Sequence, residues 1–191
     1  TLSLGEYQPS VDGSLSQVKN ERVMSRVWEH DHTVWKSEPT EIKNRLGWLT
    51  SPAVMREHVG RLRAFVDAIK ADGFEQVLLL GMGGSSLAPE VFSKIFTNPE
   101  TGLKKGLSIL DSTDPQAVLA AEKSLDLEKT IFIVSTKSGG TVETFSFFKY
   151  FYNRVAERVG QENAGKHFIA ITDQAAVLRI PPRSIASAKF F

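Results

Sequence analysis

The stretch QVLLLGMGGSS, residues 76–86, decides the fold class of this chain, because an apolar run passes directly into a loop of glycine and serine. An apolar run of this length is expected of a strand that is covered on both faces of a sheet. Gly81, Gly83 and Gly84 allow a tight turn and a close approach to the backbone. A helix-like segment follows at 86–96. Strand, loop and helix together predict one unit of an α/β fold.

A second stretch of the same design lies at residues 131–141, where the apolar run IFIV is followed by STKSGGT. Its loop offers the hydroxyl groups of Thr136, Ser138 and Thr141 and the charge of Lys137, which suit a phosphate. Backbone N–H groups in a loop that opens a helix also attract anions. One such loop could be a sharp turn without a ligand. Two of them, on strands of one sheet, predict two halves of a single anion pocket.

The rest of the sequence continues the alternation of strands and helices. Strands are expected at 107–110 and 168–171, and helices at 51–72, 115–125 and 141–159. This order predicts a three-layer, doubly wound parallel sheet with right-handed crossovers, preceded by an N-terminal helical segment. Ligands of such sheets bind outside the carboxyl ends of the strands, where both loops fall.

The sequence predicts three parts. Residues 1–50 are a helical and irregular lead-in, in which a loose beginning precedes a helix over 14–30. Residues 51–173 are the α/β domain. The tail, 174–191, breaks the pattern because Pro181-Pro182 blocks a helix. This tail is either an unusual ending or the result of a truncation.

The composition argues against several classes of function. The 191 residues include 23 Lys and Arg and 22 Asp and Glu, so no net charge directs the chain toward nucleic acid or a membrane. The absence of cysteine excludes disulfides, thiolate metal sites and a cysteine nucleophile. No apolar run approaches the ~20 residues of a membrane span. We therefore expect a cytoplasmic protein with no nucleic-acid partner, no membrane and no metal.

Two further groups are weaker candidates for chemistry. The run His30-Asp31-His32 suggests a metal, but it has no third spaced ligand, which favours a polar turn. Asp111 follows the second strand, where a dinucleotide fold would hold a ribose hydroxyl. Because Ser86 replaces the third glycine of G-x-G-x-x-G, a capping or turn role is favoured for Asp111. A dinucleotide-binding domain stays open as an alternative.

Both loops resemble those of the phosphoglucose isomerase family, which has the sugar isomerase (SIS) fold. The run GMGGSSLAP at 81–89 is similar to the family pattern G-x-G-G-S-x-L-G-P, and TKSGGTVET at 136–144 is similar to S-K-T…T-x-E-T. The segments 31–36 and 44–49 resemble the stretch before the isomerase domain in bifunctional transaldolase/phosphoglucose isomerase proteins. The resemblance covers roughly residues 20–173.

The resemblance implies a glucose-6-phosphate isomerase, which interconverts glucose 6-phosphate and fructose 6-phosphate without a cofactor. Members of the family are usually homodimers, so the full-length protein is expected to be one. Gly84 and Ser85 would border the bound sugar. The sugar phosphate would be held by the second loop, through Thr136, Lys137, Ser138 and Thr141.

The resemblance also implies that this chain holds only the N-terminal half of an active site. In the family, an arginine in a Gly-Gly-Arg-Tyr-Ser run follows, and a second SIS subdomain brings a catalytic glutamate, a histidine and a lysine. No matching motif stands in residues 1–191, so no catalytic residue is predicted. We expect the chain to bind hexose 6-phosphate weakly and not to turn it over. A non-catalytic module that senses sugar phosphates is a second interpretation.

Overall fold

A computed structural model describes residues 4–96, 103 and 105–172. The backbone divides into two compact units, residues 1–64 and 65–191, and each is described by itself. The predicted domain start at residue 51 stays a prediction. The predicted tail, 174–191, lies outside the described residues.

Short helices and single turns make up the N-terminal unit. Helix α1 spans Gln8–Asn20 and helix α2 spans Val23–Trp28. Single 3-10 turns follow at His32–Val34, Lys43–Arg45 and Gly47–Leu49. Helix α3, Ser51–Ala71, begins in this unit and ends in the next. It confirms the helix expected at 51–72.

The predicted helix over 14–30 is wrong in its start and in its continuity. The helix begins at Gln8 because Pro9 falls in its first turn, where the missing N–H leaves no helical bond unmade. It stops before Arg22, whose φ of 51° is left-handed and separates α1 from α2.

Four parallel strands form the described sheet of the C-terminal unit. Their order across the sheet is β2-β1-β3-β4, and every neighbouring pair is parallel. The predicted parallel α/β sheet is therefore confirmed. The strands are β1, Gln76–Gly81; β2, Leu107–Leu110; β3, Thr130–Ser135; and β4, Phe168–Ile171.

Helices connect these strands. The predicted helices are present, with ends that differ by a few residues. Asp114 caps the helix that begins at Pro115 by accepting a hydrogen bond from the backbone N of Ala117 at 2.9 Å. None of the helices in the described ranges has the length and apolar content needed to cross a membrane. The helices are α4, Gly84–Ile95; α5, Pro115–Lys123; α6, Val142–Val159; and the short α7, Gln161–Ala164.

The sheet order brings the two glycine-rich loops together. From β1 the chain moves to one side, to β2, and then returns across β1 to β3. This reversal makes the space between β1 and β3 the switch point of the sheet, where ligands of such folds bind. At the carboxyl ends of these strands, Gly81 lies opposite Ser135.

An aromatic core fixes α6 to one face of the sheet. The Phe132 ring stacks on Phe168 with centroids 5.0 Å apart and lies 5.1 Å from Phe151 of α6. Burial of one such side chain contributes about 1.5–3 kcal/mol. The same cluster contains Leu78, Leu80, Leu110, Val134, Phe147, Phe148 and Val155.

An ion pair joins α5 to α6 on that face. Arg154 Nε donates to Glu122 Oε1 at 2.7 Å, and the Tyr150 hydroxyl donates to Glu122 Oε2. Burial acts to raise the pKa of Glu122, but the hydrogen bonds from Tyr150 and Arg154 outweigh it and lower that pKa. The ionised carboxylate therefore ties together the two helices that follow β2 and β3.

Buried His167 gives the fold a pH dependence. Its Nδ1 lies 3.1 Å from the Thr130 carbonyl oxygen, and its ring meets Phe74 edge-on. Burial lowers the pKa of His167 below its ordinary 6.5, although the Thr130 carbonyl acts the other way. Below pH 6.5 the unfolded chain therefore binds more protons than the folded one, and stability falls as pH falls through that window.

We expect His167→Asn to remove this dependence, because the amide can still donate to Thr130 but does not titrate. Urea unfolding between pH 7.5 and 5.5 measures it, and one proton accounts for at most about 1.4 kcal/mol per pH unit. His58→Asn, on an exposed face of α3, is the matched control and should keep the slope. An equal slope in the wild type and in His167→Asn would contradict the prediction.

Candidate functional site

The first loop joins β1 to α4 through a tight turn. Gly83 has φ 53° and ψ −123°, a conformation that is open essentially only to glycine. The Met82 carbonyl accepts from the backbone N of Ser85 at 3.1 Å. The Gly83 carbonyl accepts from those of Ser86 and Leu87 at 3.0 Å. These bonds start the helix directly at the end of the strand.

Ser86 ties this loop to the neighbouring strand. Its side chain is buried, and its Oγ lies 2.9 Å from the Gly83 carbonyl oxygen and 3.2 Å from Oδ2 of Asp111. The Ser86 hydroxyl is therefore engaged by other groups of the protein. This contact joins the residue after β2 to the start of α4, and the capping or turn role favoured for Asp111 stays a prediction.

Two glycines of the first loop have different surroundings. A Cβ on Gly81 would lie 3.1 Å from the Leu79 side chain and 3.2 Å from both Cβ and the carbonyl oxygen of Ser85, closer than ordinary contacts. A Cβ on Gly84 would meet no described atom within 4 Å. Gly81 is therefore needed for packing, while Gly84 leaves open space at the surface of the loop.

The second loop is closed by two threonines. Oγ1 of buried Thr136 lies 3.1 Å from Oγ1 of Thr141, and the Thr136 backbone N donates to the Ile171 carbonyl at 3.0 Å. Thr141 is the N-cap residue of α6, but its hydroxyl caps no helix N–H in the described structure. The hydroxyl faces Thr136 instead. Ser138 Oγ accepts from the Gly140 backbone N at 3.2 Å, which shapes the tip of the loop.

Lys137 stands on this loop with an exposed side chain. The Thr172 hydroxyl donates to the Lys137 carbonyl oxygen at 3.3 Å. This bond links the loop after β3 to the residue that follows β4. The backbone of Lys137 is thus connected to the ends of both β3 and β4.

The two loops line one cleft of about 500 Å³ over the carboxyl ends of the strands. This volume lies within the range of small-molecule sites. Among the described residues that line it, Lys137 is the one charged side chain. The cleft is lined by Leu79, Gly84, Ser85, Pro89, Ser135, Lys137, Ile171 and Thr172.

Three of the six predicted site residues, Gly84, Ser85 and Lys137, line this cleft. The other three, Thr136, Ser138 and Thr141, belong to the second loop but lie outside the lining. The structure thus brings both loops to one place. The binding roles of all six residues stay predictions.

Sequence reasoning missed the other wall of the cleft. Ile171 is the last residue of β4 and Thr172 follows it, and the two border the cleft because β4 lies beside β3. No pattern within either strand predicts that pairing. Pro89 did carry a signal, because a proline inside a helical pattern needs a local reason.

The run at His30–His32 forms the polar turn that the sequence favours. The Asp31 carboxylate accepts from the Thr33 hydroxyl at 2.6 Å and from Arg26 Nε at 2.7 Å. These bonds lower the pKa of Asp31 to about 2. Within the described ranges, no group of three or more His, Cys, Asp and Glu side chains could hold a metal ion.

Comparison with known proteins decides the family. The sequence model described as phosphoglucose isomerase matches residues 50–180. The chain belongs to the phosphoglucose isomerase family. The transaldolase fusion suggested by the lead-in stays a prediction.

Relatives in this family are much longer than the chain. It is 29% identical over 133 residues to a glucose-6-phosphate isomerase of Corynebacterium glutamicum, covering 64% of the chain and 24% of that protein. It is 28% identical over 194 residues to one of Desulfotalea psychrophila, covering 97% of the chain and 34% of that protein. The chain therefore spans about a quarter to a third of the length of these relatives.

A solved structure supports the fold. The crystal structure of a glucose-6-phosphate isomerase from Chlamydia trachomatis matches with a TM-score of 0.58 and 25% identity. The match covers 67% of this chain and 24% of that one. The four-stranded α/β unit is thus similar to part of a family member.

The contrast between the two glycines of the first loop can be tested. We expect Gly81→Ala to lower the free energy of unfolding by about 1–3 kcal/mol, because the new Cβ overpacks against Ser85. The same change at Gly84 meets open space and should leave stability unchanged or slightly higher. Urea unfolding of both variants provides the measurement, and equal effects would contradict the assignment.

Proposed function

We propose that the chain binds a hexose 6-phosphate in this cleft, as the sugar-phosphate-binding part of a glucose-6-phosphate isomerase. One observation supports this most. Two loops from neighbouring strands line a single cleft in which Lys137 is the one charged side chain among the described lining residues. Membership of the family, and relatives that bear the name of this enzyme, support the choice of substrate class.

In this proposal the phosphate lies against the second loop. The Lys137 ammonium supplies a point charge, and the Ser138 and Thr141 hydroxyls supply short polar contacts. The N-terminus of α6, a helix of 18 residues, adds partial positive charge at the same place. Thr136 holds Thr141 in position through their 3.1 Å contact.

The sugar lies against the first loop. Gly84 leaves open space where a side chain would stand, and Ser85 lines the cleft beside it. Pro89 lines the cleft on the same helix, one turn after Ser85.

Aldose–ketose isomerisation moves a proton between C1 and C2 and requires a positioned base. Among the described lining residues there is neither a carboxylate nor an imidazole. We therefore propose that residues 1–191 bind the sugar phosphate without isomerising it. A homodimer, implied by the family resemblance, and a cytoplasmic location, expected from the composition, are proposed for the full-length protein.

The phosphate contacts are tested by Lys137→Ala and Thr141→Ala. Loss of a charged hydrogen bond is worth about 1.5–3 kcal/mol, so Lys137→Ala should raise the Kd for fructose 6-phosphate by roughly 10–100-fold. Thr141→Ala removes a neutral contact and should raise it by roughly 3–10-fold. Isothermal titration calorimetry measures both. The Lys123 side chain is exposed at the end of α5, so Lys123→Ala is the matched control and should bind normally. Unchanged affinity in both loop variants would show that the second loop is not part of the site.

Turnover and ligand class are tested on the same chain. In an isomerase assay coupled to glucose-6-phosphate oxidation, we expect no rate above the uncatalysed one. A normal turnover number would overturn the proposed lack of activity. Thermal-shift titration should show saturation by hexose 6-phosphate. Saturation by NAD alone would instead support the dinucleotide-binding alternative.

A further inference from the structure

Helix α4 has its apolar residues on the side that faces away from the sheet. It packs on β1 and β2, and Ser86, the one buried residue of this fully described helix, bonds to Asp111 after β2. Ser93, seven residues later, lies on the same side and is half-buried. A helix that only covers a sheet has the opposite order, with apolar residues against the sheet and polar residues outside.

Six apolar residues form the outward surface of this helix, which we call the α4 face. They recur at the spacings i, i+1, i+4, i+5, i+8 and i+9, so they cover about half of the helix circumference. All six are exposed, and the five larger side chains have exposed fractions from 50% to 73%. The α4 face consists of Leu87, Ala88, Val91, Phe92, Ile95 and the C-cap residue Phe96.

The area of the α4 face is that of a protein interface. With exposed fractions of one half or more, its side chains leave roughly 500 Å² of apolar surface open. The largest apolar patch of a typical monomer measures about 300–600 Å² and often has a function. If two copies of the face covered each other, about 1,000 Å² would be buried, which is the lower limit for a specific interface.

The charges beside the α4 face favour a second copy as the partner. Glu90 and Lys94 lie on one edge of the face, with Phe92 midway between them in the sequence. If two α4 helices pack antiparallel about a twofold axis at Phe92, Glu90 of each copy lies opposite Lys94 of the other. A parallel pair would instead place like charges opposite each other. The Glu90 and Lys94 side chains are 41% and 71% exposed, so both are open to a partner.

We propose that the α4 face binds the α4 face of a second copy of this chain, with the two helices antiparallel about a twofold axis at Phe92. The family resemblance implies a homodimer but assigns it no surface in this chain. Because the interface is small, the dimer should dissociate with a Kd of the order of 1–100 µM. The interface does not depend on the proposed ligand.

Sedimentation velocity from about 1 µM to about 500 µM tests the interface, and the sedimentation coefficient should rise from the monomer value toward the dimer value. Phe92→Glu places two carboxylates at the axis and should raise the dimer Kd by at least about 100-fold. Because Phe92 is 56% exposed, the circular dichroism spectrum and the Tm of this variant should match those of the wild type. Leu119→Glu, which changes an exposed apolar residue of α5, is the matched control and should keep the wild-type Kd.

Charge reversal tests the antiparallel arrangement. Glu90→Lys and Lys94→Glu each place like charges opposite each other, and each should raise the dimer Kd by roughly 3–10-fold at low salt. The double variant restores opposite charges and should return the Kd to within about twofold of the wild type. An equimolar mixture of the two single variants should associate more tightly than either alone. Each helix in that mixture keeps its own like-charged pair, so the rescue reports a contact between copies.

Each result supports or overturns the proposal. A chain that stays monomeric up to about 500 µM would show that the α4 face does not bind a second copy. A dimer that Phe92→Glu leaves intact would use another surface, and the proposal would be wrong. The same holds for a dimer that depends on Phe92 but is not weakened by either single charge reversal, because its helices would not be antiparallel. None of these measurements involves hexose 6-phosphate, so failure of the proposed function would leave the interface unaffected.

Discussion

The parallel pairing of β1 with β3 is the constraint on which the site depends. It sets Gly81 opposite Ser135, so the loops that follow these strands leave the sheet side by side. The chain forms β2 before it returns to β3, so α4 follows β1 and α6 follows β3 at separate positions along the sheet. Two loops that are more than fifty residues apart in the sequence thus share a cleft. A different strand order would leave the same residues as two unrelated turns.

Packing on one face of the sheet holds the second loop in place. The Phe132 ring lies between Phe168 of β4 and Phe151 of α6, which fixes the helix against both strands. The Glu122–Arg154 pair adds a polar link from α5 to the middle of α6. Because α6 cannot shift easily, its N-terminus and Thr141 stay near Thr136. The apolar core therefore does more than stabilise the unit, since it also keeps the hydroxyl groups of the loop in register.

The sequence predicts this unit well where burial leaves a pattern. The apolar runs that form β1 and β3, and the segments expected as helices at 115–125 and 141–159, each report a local preference that packing reinforces. The start of α1, residues 8–13, was missed because none of the residues of this helix, all of which are described, is buried, so the apolar pattern there is weak. The far wall of the cleft was missed for another reason. Ile171 borders the site only because β4 lies next to β3. The pairing of distant strands cannot be predicted from the sequence of either strand alone.

The two ends of the cleft differ in charge, and this difference supports the proposed class of ligand. The first loop contributes Ser85 and the open space at Gly84 to the described lining, and no charged side chain. The Lys137 ammonium and the N-terminus of α6 stand at the second. Both loops also depart from regular backbone geometry, at Gly83 and Gly139, whose φ values are positive. A molecule with hydroxyl groups at one end and a phosphate at the other is the proposed occupant, because it places its charge at the second loop and its uncharged part at the first.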